Sequence, residues 1–246
     1  MSGRRVRVIE AGRIPYHQAL DWQRGLAQAR IDGRLDEDLL ILLEHPPVLT
    51  LGRTAQGAHV LRSEGVDVVE VERGGDVTFH GPGQLVGYPI FDLRRPPFRQ
   101  DLHWDLRTLE DALIAALAEL CIPAERRAGY TGVWTGGGTR KIASIGVHVK
   151  QWITWHGFAL NVTTDLREFE RIVPCGISGV EMTSVERETG NGKRETGLWN
   201  AAVAAVINGF ASTFGVEVTM SREGVTETRP AGGRRISTTL FRDAFP

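Results

Sequence analysis

Apolar residues recur along the chain with two periods, which predict its helices and its strands. In three segments they return every three or four residues, the spacing that places them on one face of an α-helix. The apolar positions of these segments are Ala19, Trp22, Leu26 and Ala29 in the first, Leu106, Leu109, Leu113, Leu117 and Leu120 in the second, and Leu198, Ala202, Val206, Phe210 and Phe214 in the third. Gly215 follows the third segment and is the expected end of that helix.

Five other segments have the pattern of strands. Residues 6–9, 39–44 and 66–71 are short runs rich in branched apolar side chains, whereas residues 145–149 and 158–162 alternate apolar side chains with small or polar ones. Helices and strands do not alternate regularly, so we predict an α+β fold, a mostly antiparallel sheet with helices packed on it. No long linker divides the chain. We therefore predict a single domain over residues 1–220 and a polar C-terminal tail over residues 221–246.

Composition and charge exclude several classes of function. The 246 residues carry 29 basic and 30 acidic side chains, a net charge of −1, which gives no electrostatic reason to expect nucleic acid or an anionic membrane as a partner. No apolar run approaches the roughly 18 residues of a membrane span, and the N-terminus lacks the apolar segment of a secretory signal. Only two cysteines are present, so a disulfide framework is not expected. We therefore expect a cytoplasmic protein.

Lysine is rare in this chain, and one lysine has a suggestive position. Of the 29 basic residues only Lys141, Lys150 and Lys193 are lysines. Lysine can lose its proton in a suitable environment and arginine cannot, so a lysine kept against this bias is a candidate acid–base group. Lys141 follows Arg140 after a run of glycines, at the start of a predicted strand. The alternative interpretation is a solvated basic pair at a hairpin.

Two glycine-containing segments have the composition of a ligand site. Residues 73–84 combine glycines, which let a ligand approach the backbone, with the polar side chains of Thr78, His80 and Gln84. Residues 155–162 place small residues within a predicted strand, where they leave room for a ligand chain. The alternatives are a tight hairpin of turn-forming residues in the first segment and close packing between strands in the second.

The two cysteines differ in their setting. Cys175 lies between a proline and a glycine in a predicted turn, which presents its thiol, and a presented thiol needs a neighbouring group that favours the thiolate. Cys121 ends the leucine-rich helix and is predicted to be a buried, inert residue.

Signatures of other chemistries are missing from the sequence. It contains no G-x-x-x-x-G-K-[ST] or G-x-G-x-x-G fingerprint, and no serine lies in G-x-S-x-G. His80, His148 and His156 are not accompanied by carboxylates or cysteines at a metal-binding spacing. The sequence therefore predicts neither a nucleotide cofactor nor a metal site.

Together these segments resemble the lipoyl(octanoyl) transferases of lipoate biosynthesis. The resemblance rests on residues 43–47 and 50–53, on the R-G-G-x-x-T-x-H-x-P-G-Q pattern that begins at Arg73, and on residues 140–146, 156–162 and 174–176. It spans about residues 35–218, which would be the core of the catalytic domain. Phe158 is a departure, because the family more often has leucine there, and it would slightly reshape the acyl groove.

The resemblance implies a fold and a reaction. The fold would be that of the biotin/lipoate ligase catalytic domain, with the helices on one side of the sheet. The reaction would move an octanoyl group from octanoyl-acyl carrier protein to a lysine of a lipoyl domain, without a cofactor. The acceptors would be the lipoyl domains of 2-oxoacid dehydrogenases and the H protein of glycine cleavage.

The resemblance also implies roles for individual residues. Cys175 would carry the octanoyl thioester, and Lys141 would favour its thiolate and move protons. We expect the backbone N–H of Gly176 or of its neighbours to hold the tetrahedral oxyanion. The residues that would line the acyl and carrier site are Arg73, Gly74, Gly75, Asp76, Val77, Thr78, Phe79, His80, Ser144, Ile145, Gly146, Gly157, Phe158 and Ala159.

Three other functions are compatible with parts of this pattern. A lipoate– or biotin–protein ligase would use ATP, place Lys141 on a phosphate and not require Cys175. An amidotransferase that moves octanoyl between lipoyl domains would differ only in its donor. A non-enzymatic acyl-binding or carrier-docking module would have no use for both residues, so the presence of both favours the transferase.

Overall fold

Two β-sheets and three long helices form the fold in the computed structural model, which describes residues 3–177, 179–190 and 197–221. In chain order the strands are Arg5–Arg13 (β1), Asp38–Glu44 (β2), Val48–Leu51 (β3), Asp67–Glu70 (β4), Val77–His80 (β5), Gln84–Ile90 (β6), Ala124–Glu125 (β7), Val133–Thr135 (β8), Arg140–Lys150 (β9), Ile153–Asn161 (β10), Glu181–Met182 (β11) and Glu217–Met220 (β12). The helices are Tyr16–Ile31 (α1), Leu102–Glu119 (α2), the short Val185–Glu188 (α3) and Leu198–Phe214 (α4). The predicted helices and strands are all present, with shifted ends.

The larger sheet has the strand order β12-β1-β2-β6-β10-β9-β8-β7, with β11 beside β9, and the smaller sheet has the order β4-β3-β5. β1 pairs in parallel with both β12 and β2, and β11 pairs in parallel with β9. The other neighbours in the larger sheet are antiparallel. The prediction of a mostly antiparallel sheet is therefore confirmed.

Helices cover both faces of the larger sheet. On β2, Leu40 and Leu42 belong to the core shared with α2 and α4, whereas Leu39, Ile41 and Leu43 belong to a second core shared with α1. Successive residues of a strand point to opposite faces, so α1 lies on the other side from α2 and α4. The expectation of helices on one side is wrong, because a strand that is apolar on both faces needs cover on both.

Helices α2 and α4 pack closely against each other. A Cβ on Gly209 of α4 would lie 2.2 Å from the carbonyl oxygen of Ala112 of α2, so only glycine allows this approach. Cys121, just beyond the end of α2, is exposed at a φ of 59° and not buried as predicted, because the chain has already left the helix and turned outward. None of the helices in the described ranges combines the length and apolar character of a membrane span.

The central strand β6 was not predicted, because Gly87 and Pro89 interrupt its pattern. A proline cannot donate to a sheet ladder and is rare in a central strand. The neighbouring strand β10 accommodates it by an irregularity, in which His156 has a φ of 58° and Gly157 a φ of 157°. A Cβ on Gly157 would lie 2.3 Å from the carbonyl oxygen of Gly87 and 2.5 Å from Pro89 Cδ. The predicted tail beyond residue 221 lies outside the described residues.

The core of the fold contains a buried carboxylate, that of Asp105. Asp105 lies one turn into α2, on the same face as Leu109 and Leu113, and it is fully buried. Neither of its carboxylate oxygens has a hydrogen-bond partner within the described part of the chain. Burial disfavours the charged form and raises the pKa of Asp105 to about 7.

We expect Asp105→Asn to flatten the dependence of stability on pH. A carboxyl with a higher pKa in the folded state binds its proton more tightly there, so wild-type stability falls as the pH rises from about 4, the unfolded value, through about 7. At about 1.4 kcal/mol per pKa unit, the loss between about pH 5 and pH 8 is roughly 2.5 kcal/mol. Urea unfolding of both proteins at the two pH values measures it. An equal loss in the variant would show that Asp105 is not responsible.

Candidate active site

A cavity of about 280 Å³ lies between β5, β9, β10 and the turn that holds Cys175. Its size is near the lower end of the range for small-molecule sites, about 300–1,000 Å³. Most of the predicted site residues line it, although they come from four separate parts of the chain. Those that line it are Arg73, Gly75, Asp76, Thr78, His80, Lys141, Ser144, Ile145, Gly146, Gly157, Phe158, Ala159 and Cys175.

Three of the predicted site residues, Gly74, Val77 and Phe79, do not line the cavity. In β5 the side chains alternate, so that those of Thr78 and His80 face the cavity while Val77 and Phe79 belong to a separate apolar cluster. The N–H of Gly74 donates to the carbonyl of Val147 at 3.0 Å, which attaches this segment to β9. These three residues therefore support the segment that forms the cavity wall without lining the cavity themselves.

Lys141 and Cys175 are in direct contact, although they are 34 positions apart in sequence. Lys141 Nζ donates to Cys175 Sγ at 3.1 Å and to the carbonyl oxygen of Thr131 at 3.1 Å. It also lies 5.4 Å from the ring centroid of Trp134. The Lys141 residue is 1% exposed, so its amine is shielded from bulk water and has few alternative partners. Ser144 Oγ lies 3.8 Å from the same sulfur.

An irregularity in β9 brings Lys141 and Ser144 to the same side of the strand. Val133 of β8 pairs with Ala143, but the next residue, Trp134, pairs with Lys141, so β9 has one extra residue between them. Such a bulge shifts the alternation of side chains by one position. In a regular strand, residues three apart would point to opposite faces. The bulge therefore allows both side chains to reach the sulfur of Cys175.

The turn around Cys175 holds this residue in an uncommon backbone conformation. Cys175 has a φ of 55° and Gly176 a φ of 67°, and both lie in a single 3-10 turn, Pro174–Gly176. The N–H of Gly176 donates to Val173 and that of Ile177 donates to Pro174, each at 3.0 Å. The N–H groups of Gly176 and Ile177 are therefore occupied within the turn, and an oxyanion contact from a backbone N–H of Gly176 or of its neighbours stays a prediction.

A chain of hydrogen bonds fixes the polar wall of the cavity. Arg73 Nη2 donates to Thr50 Oγ1 at 2.8 Å, and this hydroxyl lies 3.2 Å from His80 Nε2. His80 Nδ1 lies 2.8 Å from Gln84 Oε1, and Gln84 Nε2 donates to Asn161 Oδ1 at 2.9 Å. Burial lowers the pKa of His80 well below its usual range, so the ring is neutral. The Thr50 hydroxyl then donates to Nε2, and Nδ1–H donates to Gln84.

Two polar atoms beside the cavity have no hydrogen-bond partner among the described residues, Thr78 Oγ1 and His156 Nε2. His156 Nε2 lies 3.8 Å from the Glu72 carboxylate, and burial lowers the pKa of His156. Both atoms are available to a bound substrate. Sequence reasoning considered His156 as a metal ligand and as part of the segment 156–162 that resembles the transferases, but did not place it among the site residues. Within the described ranges no group of three potential ligands could hold a metal ion.

Sequence reasoning also missed three tyrosines that line the cavity, Tyr130 and the buried Tyr16 and Tyr88, of which the last two contact histidines. The Tyr16 ring stacks on His80 at a centroid distance of 5.8 Å, and burial raises the pKa of Tyr16 to about 12. Tyr88 Oη lies 2.7 Å from Nε2 of His45, whose Nδ1 is 2.7 Å from the carbonyl oxygen of Ile14. Nothing in the sequence connects Tyr16 and Tyr88, at the start of α1 and in β6, with the glycine-rich segments.

Comparisons with known proteins agree with this fold and site. The family model for the lipoyl protein ligase A/B catalytic domain matches residues 15–214. The octanoyltransferase of Gloeobacter violaceus is 56% identical over 70% of this chain and 76% of that protein. The octanoyltransferase of Nostoc punctiforme is 47% identical over 86% of this chain and 89% of that protein.

Solved structures show the same fold at much lower sequence identity. A bipartite lipoate protein ligase from Thermoplasma acidophilum has a TM-score of 0.67 at 16% identity, over 90% of this chain and 87% of that chain. A lipoate-protein ligase A bound with ATP has a TM-score of 0.65 at 16% identity, over 91% of this chain and 90% of that one. The chain therefore belongs to the lipoyl protein ligase A/B catalytic-domain family and, within it, to the octanoyltransferases, which are acyltransferases.

Proposed function

We propose that the chain transfers octanoyl groups in lipoate biosynthesis through a thioester on Cys175, with Lys141 as the acid and base. The observation that carries this proposal is the 3.1 Å contact between Lys141 Nζ and Cys175 Sγ within the cavity. An ammonium at this distance favours the thiolate, which is the nucleophilic form of cysteine. The donor is octanoyl-acyl carrier protein and the acceptor is a lysine of a lipoyl domain, in 2-oxoacid dehydrogenases or the H protein of glycine cleavage.

In the first half of the reaction the Cys175 thiolate attacks the carbonyl carbon of the donor thioester. The tetrahedral intermediate collapses, the bond to the carrier sulfur breaks, and the departing thiolate takes a proton from the Lys141 ammonium. The products are octanoyl-Cys175, neutral Lys141 and the free thiol of the carrier. A thioester is exchanged for a thioester of similar energy, so the step needs no activation by ATP.

In the second half the acceptor amine attacks the carbonyl of octanoyl-Cys175. Lys141, now neutral, accepts the proton that the amine loses, and the Cys175 thiolate leaves as the amide forms. The pair returns to its starting state. Ser144 Oγ, 3.8 Å from Sγ, is the hydroxyl that can donate to the oxyanion, since the Gly176 N–H is already used.

The remainder of the cavity suits an acyl chain. Val86, Ile145, Phe158 and Ala159 supply apolar lining, and the small Gly157 leaves space beside them. Burying the methylene groups of the chain there stabilises the complex by about 0.8 kcal/mol per group. The lipoyl-domain acceptor is supported by the Thermoplasma acidophilum ligase of the same fold, which was studied with its E2 lipoyl domain.

We expect octanoyl transfer from octanoyl-acyl carrier protein to a lipoyl domain to proceed in EDTA without any nucleotide. The physical reason is that the donor thioester already supplies the activated acyl group. The measurement is the intact mass of the lipoyl domain after incubation with enzyme and donor. A requirement for ATP and magnesium would favour the ligase, and activity only with an octanoylated lipoyl domain as donor would favour the amidotransferase.

A further inference from the structure

The turn that holds Cys175 is supported by a neighbouring segment around His59, which the mechanism above does not use. The carbonyl oxygen of His59 accepts the N–H of Val173 at 2.8 Å, and Val60 forms an isolated β-bridge with Ile172. These contacts attach the chain on the N-terminal side of Cys175 to the His59 segment. The position of the nucleophile therefore depends on where that segment lies.

The side chain of His59 reaches the other side of the same turn through Asp76. His59 Nδ1 lies 2.7 Å from Asp76 Oδ2, and Asp76 Oδ1 accepts the N–H of Val77 at 2.7 Å. Both side chains lie close to Gly176. A Cβ placed on this glycine would lie 2.6 Å from Asp76 Oδ2 and 3.1 Å from His59 Cε1. The pair is thus in contact with the backbone next to Cys175.

The same pair fixes where the Asp76 carboxylate lies in the cavity wall. The hydrogen bond from His59 occupies the Oδ2 atom and holds the carboxylate on the Gly176 side. Arg73, which donates to the backbone carbonyl of Asp76 at 2.9 Å, fixes the other end of the residue.

We infer that His59 is a positioning residue for octanoyl transfer: through Asp76 it fixes the turn at Gly176, and so keeps Cys175 Sγ beside Lys141. This inference rests on the proposed function, because it assigns His59 a task in presenting that nucleophile. The left-handed conformation of Cys175, with φ at 55°, persists only where its surroundings constrain it. The His59–Asp76 pair supplies one of these constraints and does not itself touch the reacting atoms.

The test compares three variants with wild type. His59→Leu removes the hydrogen bond, and His59→Asn keeps an N–H that can reach Asp76. His148→Leu is the matched control, because His148 is also held through Nδ1, which lies 3.0 Å from the backbone carbonyl of Glu72. Alkylation of Cys175 by iodoacetamide at neutral pH is followed by peptide mass spectrometry, and the exposed Cys121 is the reference in the same sample. Circular dichroism confirms that each variant is folded.

We expect His59→Leu to slow alkylation of Cys175 about tenfold, the size of one hydrogen bond to a charged group, with Cys121 unchanged. The kcat of octanoyl transfer falls by about the same factor, while KM for octanoyl-acyl carrier protein stays within about twofold. His59→Asn retains both rates within about threefold of wild type, and His148→Leu matches wild type.

Three results would overturn the inference about His59. One is an alkylation rate and a kcat in His59→Leu that equal those of wild type. The other two are losses of alkylation rate and kcat in His59→Asn, or in His148→Leu, as large as those in His59→Leu. Failure of the proposed function gives a different result, because wild-type protein itself would then form no octanoyl adduct with the donor. The alkylation comparison does not depend on that adduct.

Discussion

Cys175→Ala is expected to abolish the acyl-enzyme and to lower the rate of octanoyl transfer by roughly 10⁴-fold or more, the scale of losing a nucleophile. Wild-type protein incubated with octanoyl-acyl carrier protein should gain the mass of one octanoyl group, and hydroxylamine should remove it. The physical reason is that Cys175 supplies the sulfur in the cavity, in contact with an ammonium. Intact mass spectrometry measures the adduct, and a lipoyl-domain assay measures the transfer.

Cys121→Ala is the matched control for this prediction. Cys121 is the other cysteine of the chain and is exposed beyond the end of α2, so its removal should leave both the adduct and the transfer unchanged. An octanoyl adduct that survives Cys175→Ala would contradict the assignment of the nucleophile.

Lys141→Arg is expected to distinguish the effect of a positive charge beside Cys175 from the effect of proton transfer. A guanidinium beside Sγ still favours the thiolate but stays protonated at any working pH, so it cannot accept the proton of the acceptor amine. We expect Lys141→Arg to keep measurable iodoacetamide reactivity at Cys175 and to lose about 10²-fold or more in turnover, the scale of a missing acid–base group. Lys141→Ala should lose both.

The Lys141 comparison requires an alkylation rate and a transfer rate for the same three proteins. Near wild-type transfer by Lys141→Arg would show that Lys141 acts only as a charge. The space around the side chain is limited, since a Cβ on Gly132 would lie 2.7 Å from Lys141 Cε. The alkylation rate therefore also reports whether the longer arginine still reaches the sulfur.

Much of the fold follows from the pattern of apolar residues, because each long helix and five of the twelve strands, β1, β2, β4, β9 and β10, have a clear apolar pattern. The exceptions have physical causes. β6 contains Gly87 and Pro89, which are tolerated only because β10 departs from regular geometry beside them. The helices on both faces of the sheet follow from the apolar run in β2. Consecutive apolar residues in a strand face both sides of the sheet, but the prediction placed helices on only one side.

The parts of the site that have a distinctive composition were predictable from the sequence. The contacts between segments that are distant in the chain were not. Glycines and a cysteine in a turn marked the segments that form the cavity, and the resemblance to the lipoyl(octanoyl) transferases supplied most of the residues that line it. The same block of sequence also contained Val77 and Phe79, which the alternation of β5 turns away from it. Tyr16 was missed because it reaches the cavity from α1, and His59 because its role depends on a contact with Asp76.

The bulge in β9 has a consequence for how relatives of this chain should be aligned and engineered. The meeting of Lys141, Ser144 and Cys175 depends on the number of residues between Lys141 and Ser144 as much as on their identity. A homologue with the same letters but one residue fewer in this stretch would present only one of the two side chains to the sulfur. Gaps placed inside residues 141–144 therefore change the geometry around the sulfur, whereas gaps in the glycine loop at 136–138 leave that spacing intact.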